Sequence, residues 1–256
     1  IQKKKCGACK KLCPTGAVDF DQTDQIETLQ VGSLVLAPGF SPFDPSKFDN
    51  YQYANLPNVM TSLEFERILS ASGPTMGHVT RQSKDKGEHK KIAWFQCVGS
   101  RDMNKCNHSY CSSVCCMYAI KEAVIAKEHA GDDLDCAIFY MDMRTFGKSF
   151  QRYRDQAELT YGVRFERLRI HTVNQDGVNH DLILQGVDIS GKPTEERFDM
   201  VVLTVGQRPL SAAAEFAELA EIELNPFGFG QPEPFSLTRS TRGGIELGGS
   251  FAGLQD

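Results

Sequence analysis

No stretch of this sequence stays apolar for the roughly 20 residues that a bilayer-spanning helix needs. Its apolar runs are short and interrupted, which reads as a soluble protein. A surplus of positive charge is also missing. The 28 Lys and Arg are outnumbered by 33 Asp and Glu, and the net charge of −5 offers no field to draw nucleic acid or anionic lipid. A signal-peptide pattern is absent, because Ile1 to Lys5 lead straight into cysteines. There is no initiator Met, and the chain opens inside a motif, which reads as a fragment whose upstream part lies elsewhere. Internal repeats and low-complexity tracts are lacking as well.

What the chain has in quantity is cysteine. The nine are Cys6, Cys9, Cys13, Cys97, Cys106, Cys111, Cys115, Cys116 and Cys136. A disulfide framework would spread them through a small, loop-rich chain. Here eight of the nine fall in two tight groups, one with adjacent cysteines. That pattern fits metal ligation in a reducing compartment.

Apolar periodicity predicts an α/β organisation. Val31–Gly39 reads as a buried strand stopped by Pro and Gly, and residues 40–60 as loop. Thr61-Ser62 offers an N-cap for a short helix to about Leu69, and residues 72–90 look like an exposed linker. Lys91–Cys97 predicts a strand, Tyr110–His129 a helix, Leu134–Met141 a strand and residues 150–162 a helix. Phe165–Val173 and Asp181–Ile189 suggest an antiparallel pair. Asp199–Gly206 and Gly244–Gly249 are two further strands. Strands that are apolar throughout and alternate with helices imply a parallel sheet covered on both faces.

The first cysteine group is Cys6-x2-Cys9-x3-Cys13-Pro14. Ferredoxin-type clusters use C-x2-C-x2-C-x3-C-P, and the first of those four positions falls here on Lys3. The fourth ligand then comes from upstream, from elsewhere in the chain, or from nowhere, which would leave a three-iron cluster. A zinc knuckle is the blander alternative. In the second group, Cys97 ends a strand while Cys111, Cys115 and Cys116 open the predicted helix. Cys111 and Cys115 are one turn apart, and Cys116 is offset by about 100°. The helix N-terminus favours thiolates and an anionic cluster. Small buried residues packing a helix on a sheet would be the plain alternative. Cys106 either substitutes for Cys97 or is free, and Cys136 reads as core.

Phe95-Gln-Cys-Val-Gly-Ser-Arg-Asp102, with Tyr110-Cys-Ser-Ser-Val-Cys-Cys-Met-Tyr-Ala-Ile-Lys121, resembles the A subunit of heterodisulfide reductase and its relatives. These include subunits of the quinone-interacting oxidoreductase complex of sulfate reducers. Tyr140–Lys148 and Asn58–Glu66 extend the resemblance over nearly the whole chain. It implies a thioredoxin-reductase-like flavoprotein, here a fragment. Residues 1–20 would be a ferredoxin-type motif, and 21–55 with 211–256 parts of a split FAD-binding domain. Residues 56–210 would be a Rossmann-like domain bearing an irregular cluster.

By that resemblance, [4Fe–4S] clusters are held by Cys6, Cys9 and Cys13 and by Cys97, Cys111, Cys115 and Cys116. FAD meets Gly39, Thr241, Gly244, Gly249 and Asp256, and Lys121 stands near its N5. Where a nucleotide-binding domain carries G-x-G-x-x-G after its first strand, this chain has Cys97–Asp102, so no NAD(P) binding is expected of it. The implied function is that of a cytoplasmic electron-transfer subunit, with any membrane association made through partners. It would work within a heterodisulfide-reductase-like or quinone-interacting complex, with ferredoxin and a hydrogenase or dehydrogenase as further partners and electron bifurcation as its use. Two rival classes are a flavin-linked thiol–disulfide oxidoreductase using Cys115 or Cys116 and a zinc-stabilised interaction module.

Overall fold

In the computed structural model the described residues are 7–83 and 90–253. Contacts divide the chain into two compact units, Ile1–Leu34 and Val35–Asp256. The first contains a short helix, α1 (Ala8–Leu12), closed where the Cys13 N–H donates to the Cys9 carbonyl at 3.1 Å. Cys6 lies outside the described residues.

The second unit is built on a five-stranded sheet. Its elements open with β1 (Leu34–Leu36), β2 (Ser41–Pro42), β3 (Val59–Thr61) and α2 (Ser62–Leu69). They continue with β4 (Lys91–Val98), α3 (Cys115–Ala130), β5 (Asp135–Phe139), α4 (Phe150–Leu159) and β6 (Arg164–Glu166). Then come β7 (Arg169–Gln175), β8 (Leu182–Val187), β9 (Pro193–Phe198), β10 (Met200–Val205) and β11 (Gln207–Arg208). The last are α5 (Ala213–Ala220) and β12 (Ile245–Leu247). The main sheet runs β3-β10-β4-β5-β6 and every pairing in it is parallel. Strands β7, β8 and β9 form an antiparallel sheet, β2 pairs with β11, and β1 with β12.

The main sheet is covered on both faces, as its uninterrupted apolar strands predict. Alternation along β4 sends Ile92 and Trp94 toward Phe65, Ile120 and Ala123 on one side. It sends Ala93 and Phe95 toward Phe139, Leu182 and Phe198 on the other. Helix α2 starts where the sequence indicates. Thr61 Oγ1 accepts from the Glu64 N–H, and Glu64 Oε2 accepts from the Thr61 N–H at 2.7 Å, a reciprocal cap.

Several expectations need correction. Residues 40–60 are not all loop, because Val59 and Met60 form buried edge strand β3. The described part of 72–90 is not exposed linker: Val79 joins the core, and Arg81, 5% exposed, pairs with Asp181 at 3.1 Å and Asp199 at 3.4 Å. The helix expected from Tyr110 starts at Cys115, because Ser113 at φ +61° breaks the helical path. Phe165–Val173 is two strands in two sheets, split at Arg167-Leu168. Strand β9 and helix α5 carry no signal that the sequence reading used.

Candidate functional site: a thiol pocket and a cleft

Strand β4 does not end regularly. Its pairing with β10 runs Phe95 to Leu203 and then Val98 to Val205, so one extra residue bulges on the β4 side. Cys97 lies in that bulge at φ +62°, a conformation a non-glycine residue takes only where its surroundings impose it. Arg101 (φ +56°), Asn107 (+57°) and Ser113 (+61°) repeat the strain along the next turns. At roughly 1 kcal/mol or more each, such residues persist where neighbours over-determine them and cluster at functional sites.

The neighbours here are identifiable. The loop between β4 and α3 is stapled by Asp102 and His108, which exchange N–H to carbonyl bonds at 2.8 and 3.1 Å. Tyr110 donates its hydroxyl to the Gln207 carbonyl at 3.0 Å. Ser100 and Ser112 share a hydroxyl bond at 2.6 Å, and Ser112 Oγ accepts from the Gln207 N–H at 2.9 Å. Gly206 has to be glycine in this floor, since a Cβ there would lie 2.1 Å from Ser100 Oγ and 2.7 Å from Ser112 Oγ. The loop thereby carries Cys111 to the start of α3, which opens at Cys115 without a side-chain cap.

Four thiols lie near one another here, and the Cys111 charge acts on each of the other three. Burial pushes the Cys115 thiol up to about 12, with Cys97, Cys116 and Cys111 adding to the rise. Cys116 is pushed up to about 11, again by burial first, with Cys97 and Cys111 contributing. Burial also raises Cys97, opposed by the Arg101 charge and reinforced by Cys111. Two backbone donors address the sulfurs, Ser113 N–H to Cys111 Sγ and Arg144 N–H to Cys116 Sγ, both at 3.4 Å. Such N–H to sulfur bonds suit thiolates carrying an iron–sulfur cluster. As they stand, no three His, Cys, Asp or Glu side chains among the described residues form a group that could hold a metal ion. Four thiols from the β4 bulge, the loop after it and the start of α3 are soft donors of the type that iron–sulfur clusters use.

Cys106 belongs elsewhere. Its thiol donates to the Asp102 carbonyl at 3.1 Å, and its charged neighbours are Asp102, Arg169 and Arg208. Cys136 is fully buried in β5, in the core as its apolar strand predicts.

Beyond the pocket is a cleft of about 250 Å³, lined by Phe40, Leu63, Tyr118, Val205 and Gln207 among others. The Val205 carbonyl joins the two, accepting from Cys115 Sγ at 3.8 Å and from Tyr118 Oη at 2.6 Å. Lys121 lines the cleft as a half-exposed ammonium paired with Glu66 at 2.8 Å. Its neighbour Glu122 is 2% exposed and accepts from Trp94 Nε1 at 3.0 Å. Burial raises the Glu122 carboxyl well above its ordinary range. The sequence reading missed Glu122 and Glu66. A signal existed for Glu122, which falls with Ala119, Ala123 and Ala126 on the i, i+3, i+4, i+7 stripe of α3.

Of the residues expected near a flavin, Gly39 (φ +86°) follows β1, while Gly244 (φ +84°) and Gly249 (φ +57°) flank β12. The two strands are joined further where the Gly248 N–H donates to the Leu36 carbonyl at 2.9 Å. Thr241 Oγ1 accepts from the Glu223 N–H at 2.9 Å. Asp256 lies outside the described residues. In the first unit, Cys13 Sγ lies 3.4 Å from Thr15 Oγ1, and Cys9 is exposed. That hydroxyl and nearby backbone N–H groups lower the Cys13 thiol to about 7.

No family model matches the sequence. Individual proteins do. It is 41% identical over 214 residues to the second iron-sulfur A subunit of CoB–CoM heterodisulfide reductase from Methanopyrus kandleri, covering 83% of this chain and 32% of the relative. It is 38% identical over 228 residues to the A subunit of the H2:CoB-CoM heterodisulfide,ferredoxin reductase of Methanothermobacter marburgensis, 88% of this chain and 34% of that protein. The chain thus spans about a third of the length of these relatives. Among solved structures, Lactococcus lactis thioredoxin reductase superposes with a TM-score of 0.51 at 15% identity, over 86% of this chain and 57% of that one. The fold is therefore thioredoxin-reductase-like. By identity sustained over most of its residues, this chain is similar to the A subunits of heterodisulfide reductase.

Proposed function

We propose that this chain is the portion of an iron–sulfur flavoprotein subunit that transfers electrons between FAD and [4Fe–4S] clusters. The observation that supports the reading is that Cys97, Cys111 and Cys116 lie close enough to Cys115 to act on its thiol, where the β4 bulge meets the start of α3. The donor set fits the group: four thiols, two of them with N–H donors on their sulfur, and no oxygen ligand required. Burial holds the Cys115 and Cys116 thiols protonated, and binding iron would displace those protons. Cys6, Cys9 and Cys13 hold a second cluster.

Bound FAD would supply two-electron chemistry that clusters split into single electrons. Toward it, Gly39, Gly244 and Gly249 leave backbone unobstructed, with Thr241 and Asp256 as polar contacts and Lys121 as the cation in the cleft. Residues 21–55 and 211–256 belong to the split FAD-binding part, residues 56–210 to the Rossmann-like part, and 1–20 to the ferredoxin-type motif. Glu66 fixes the Lys121 ammonium at the cleft, where it would meet developing negative charge. The chain works as an oxidoreductase component among other subunits of a heterodisulfide-reductase-like or quinone-interacting complex. Ferredoxin and a hydrogenase or dehydrogenase are its further partners, bifurcation its use, and the cytoplasm its location. No helix among the described residues is long and apolar enough to cross a membrane.

Thiol–disulfide exchange is disfavoured as the main role, because buried thiols pushed to about 11 and 12 are poor nucleophiles. The test is anaerobic purification of the full-length protein with flavin, iron and sulfide quantified, followed by EPR after stoichiometric reduction. FAD and cluster signals that rise as the flavin bleaches are the expected result. A flavin that bleaches with no cluster signal would overturn the reading.

A further inference from the structure

Three charged side chains lie against the thiol pocket, and metal ligation uses none of them. Arg101 comes from the turn after β4, and Asp142 and Arg144 from the turn after β5. Asp142 sits between the two arginines. It accepts a short ion-pair contact from Arg101 Nη1, and its second oxygen accepts from Arg144 Nη2 at 3.5 Å.

Both arginines are tied to the cysteines by backbone. The Arg144 N–H donates to Cys116 Sγ at 3.4 Å. Arg101 stands just beyond a turn closed by the Ser100 N–H on the Cys97 carbonyl at 3.2 Å, and its own N–H is fixed to the Tyr110 carbonyl at 3.0 Å. Its left-handed φ of +56° shows that this placement is imposed. Side-chain exposures of 24% for Arg101 and 34% for Arg144 leave both partly withdrawn from solvent, where charges act less screened.

We infer that Arg101, Asp142 and Arg144 form a charge clasp whose net positive charge sets the reduction potential of the cluster held by Cys97, Cys111, Cys115 and Cys116. The inference rests on the ligation proposed above. Its physical basis is that one-electron reduction makes the cluster one unit more negative. A fixed cation beside the sulfurs favours the reduced form, and a fixed anion opposes it. Asp142 is then a moderator: it holds the arginines in place and offsets part of their charge. These are positioning residues, and none touches iron as a ligand.

The clasp makes opposite predictions for its two signs of charge. The experiment is an EPR-monitored redox titration of the full-length protein in its complex. Iron and sulfide are counted first, and the pocket signal is identified by its loss in Cys115→Ser. Arg101→Gln is expected to titrate at lower potential, by about a tenfold change in the reduction equilibrium, or about 59 mV for one electron. Asp142→Asn is expected to move the potential up, and Arg101→Lys, which keeps the charge, to stay near wild type. Iron-replete variants that titrate with wild type, or that all move in one direction, would overturn the clasp and leave the ligation standing. A wild-type protein without iron would overturn the ligation itself and the clasp with it. If Arg101→Gln loses its iron, Arg101→Lys and Asp142→Asn decide by the same criteria.

Discussion

Cys13 and Cys115 carry the same side chain in opposite environments. Cys13 lies in a surface turn of the first unit, where a threonine hydroxyl and backbone N–H groups lower its thiol to about 7. Cys115 is 6% exposed at the start of α3, where burial lifts its thiol to about 12. In the first motif the local turn after α1 presents the Cys13 sulfur ready to ionise. The second exists only after a bulged strand, a stapled loop and a helix start have been assembled. Ligand spacing alone defines the first, whereas the second depends on the fold around it. Burial keeps the Cys115 and Cys116 thiols protonated at neutral pH, so the fold leaves them poor nucleophiles.

The largest expected effect separates the two motifs outright. Cys115→Ser should abolish the pocket cluster, removing about four iron atoms per chain, while leaving the iron held by Cys6, Cys9 and Cys13. Iron analysis with EPR of this variant beside wild type checks this, and a cluster that survives Cys115→Ser would break the comparison. Next is Gly206→Ala, which forces a methyl against Ser100 and Ser112 beneath the pocket. It should destabilise the second unit by about 1–3 kcal/mol and slow loading of the pocket, without touching the first motif. Denaturant unfolding and iron uptake measure the two consequences.

Before loading, the thiols themselves should differ in rate. At neutral pH, alkylation followed by mass spectrometry should mark Cys13 well before Cys115, because the first is close to half-ionised and the second is protonated and buried. The smallest effect concerns Glu122. Its folded pKa is raised, so the unfolded chain loses that proton first, and the contribution to stability present in acid is lost as pH rises above the ordinary carboxyl value of 4.5. Glu122→Gln keeps an acceptor for Trp94 and should flatten that decline in the pH dependence of Tm. An unchanged slope would show that the carboxyl is ionised in the folded protein.

Much of the architecture was legible where local chemistry decides. Thr61 and Glu64 announced the start of α2, and the apolar strands at Lys91, Leu134 and Asp199 announced the parallel sheet. The cysteine spacing pointed to the pocket, although the helix argument for Cys111 was mistaken. Ser113 in the left-handed region delays α3 to Cys115, and nothing in a serine forecasts that. Strand β9 escaped because Glu195, Glu196 and Arg197 make it look like loop, yet Glu196 is engaged by Lys91 and Arg164 at 3.0 and 2.7 Å. Arg81 escaped for a similar reason, since its carboxylate partners lie 100 and 118 residues away in sequence. The clasp of Arg101, Asp142 and Arg144 depends on two strand ends meeting, which single-sequence patterns do not encode.

The most direct test of the central claim is anaerobic reconstitution with ferrous iron and sulfide. It compares the wild-type protein with a variant in which Cys97, Cys111, Cys115 and Cys116 are all serine and Cys6, Cys9 and Cys13 are intact. The account predicts that the variant binds about one [4Fe–4S] cluster less than wild type and lacks one EPR species. Equal iron, equal sulfide and identical spectra in the two proteins would contradict it.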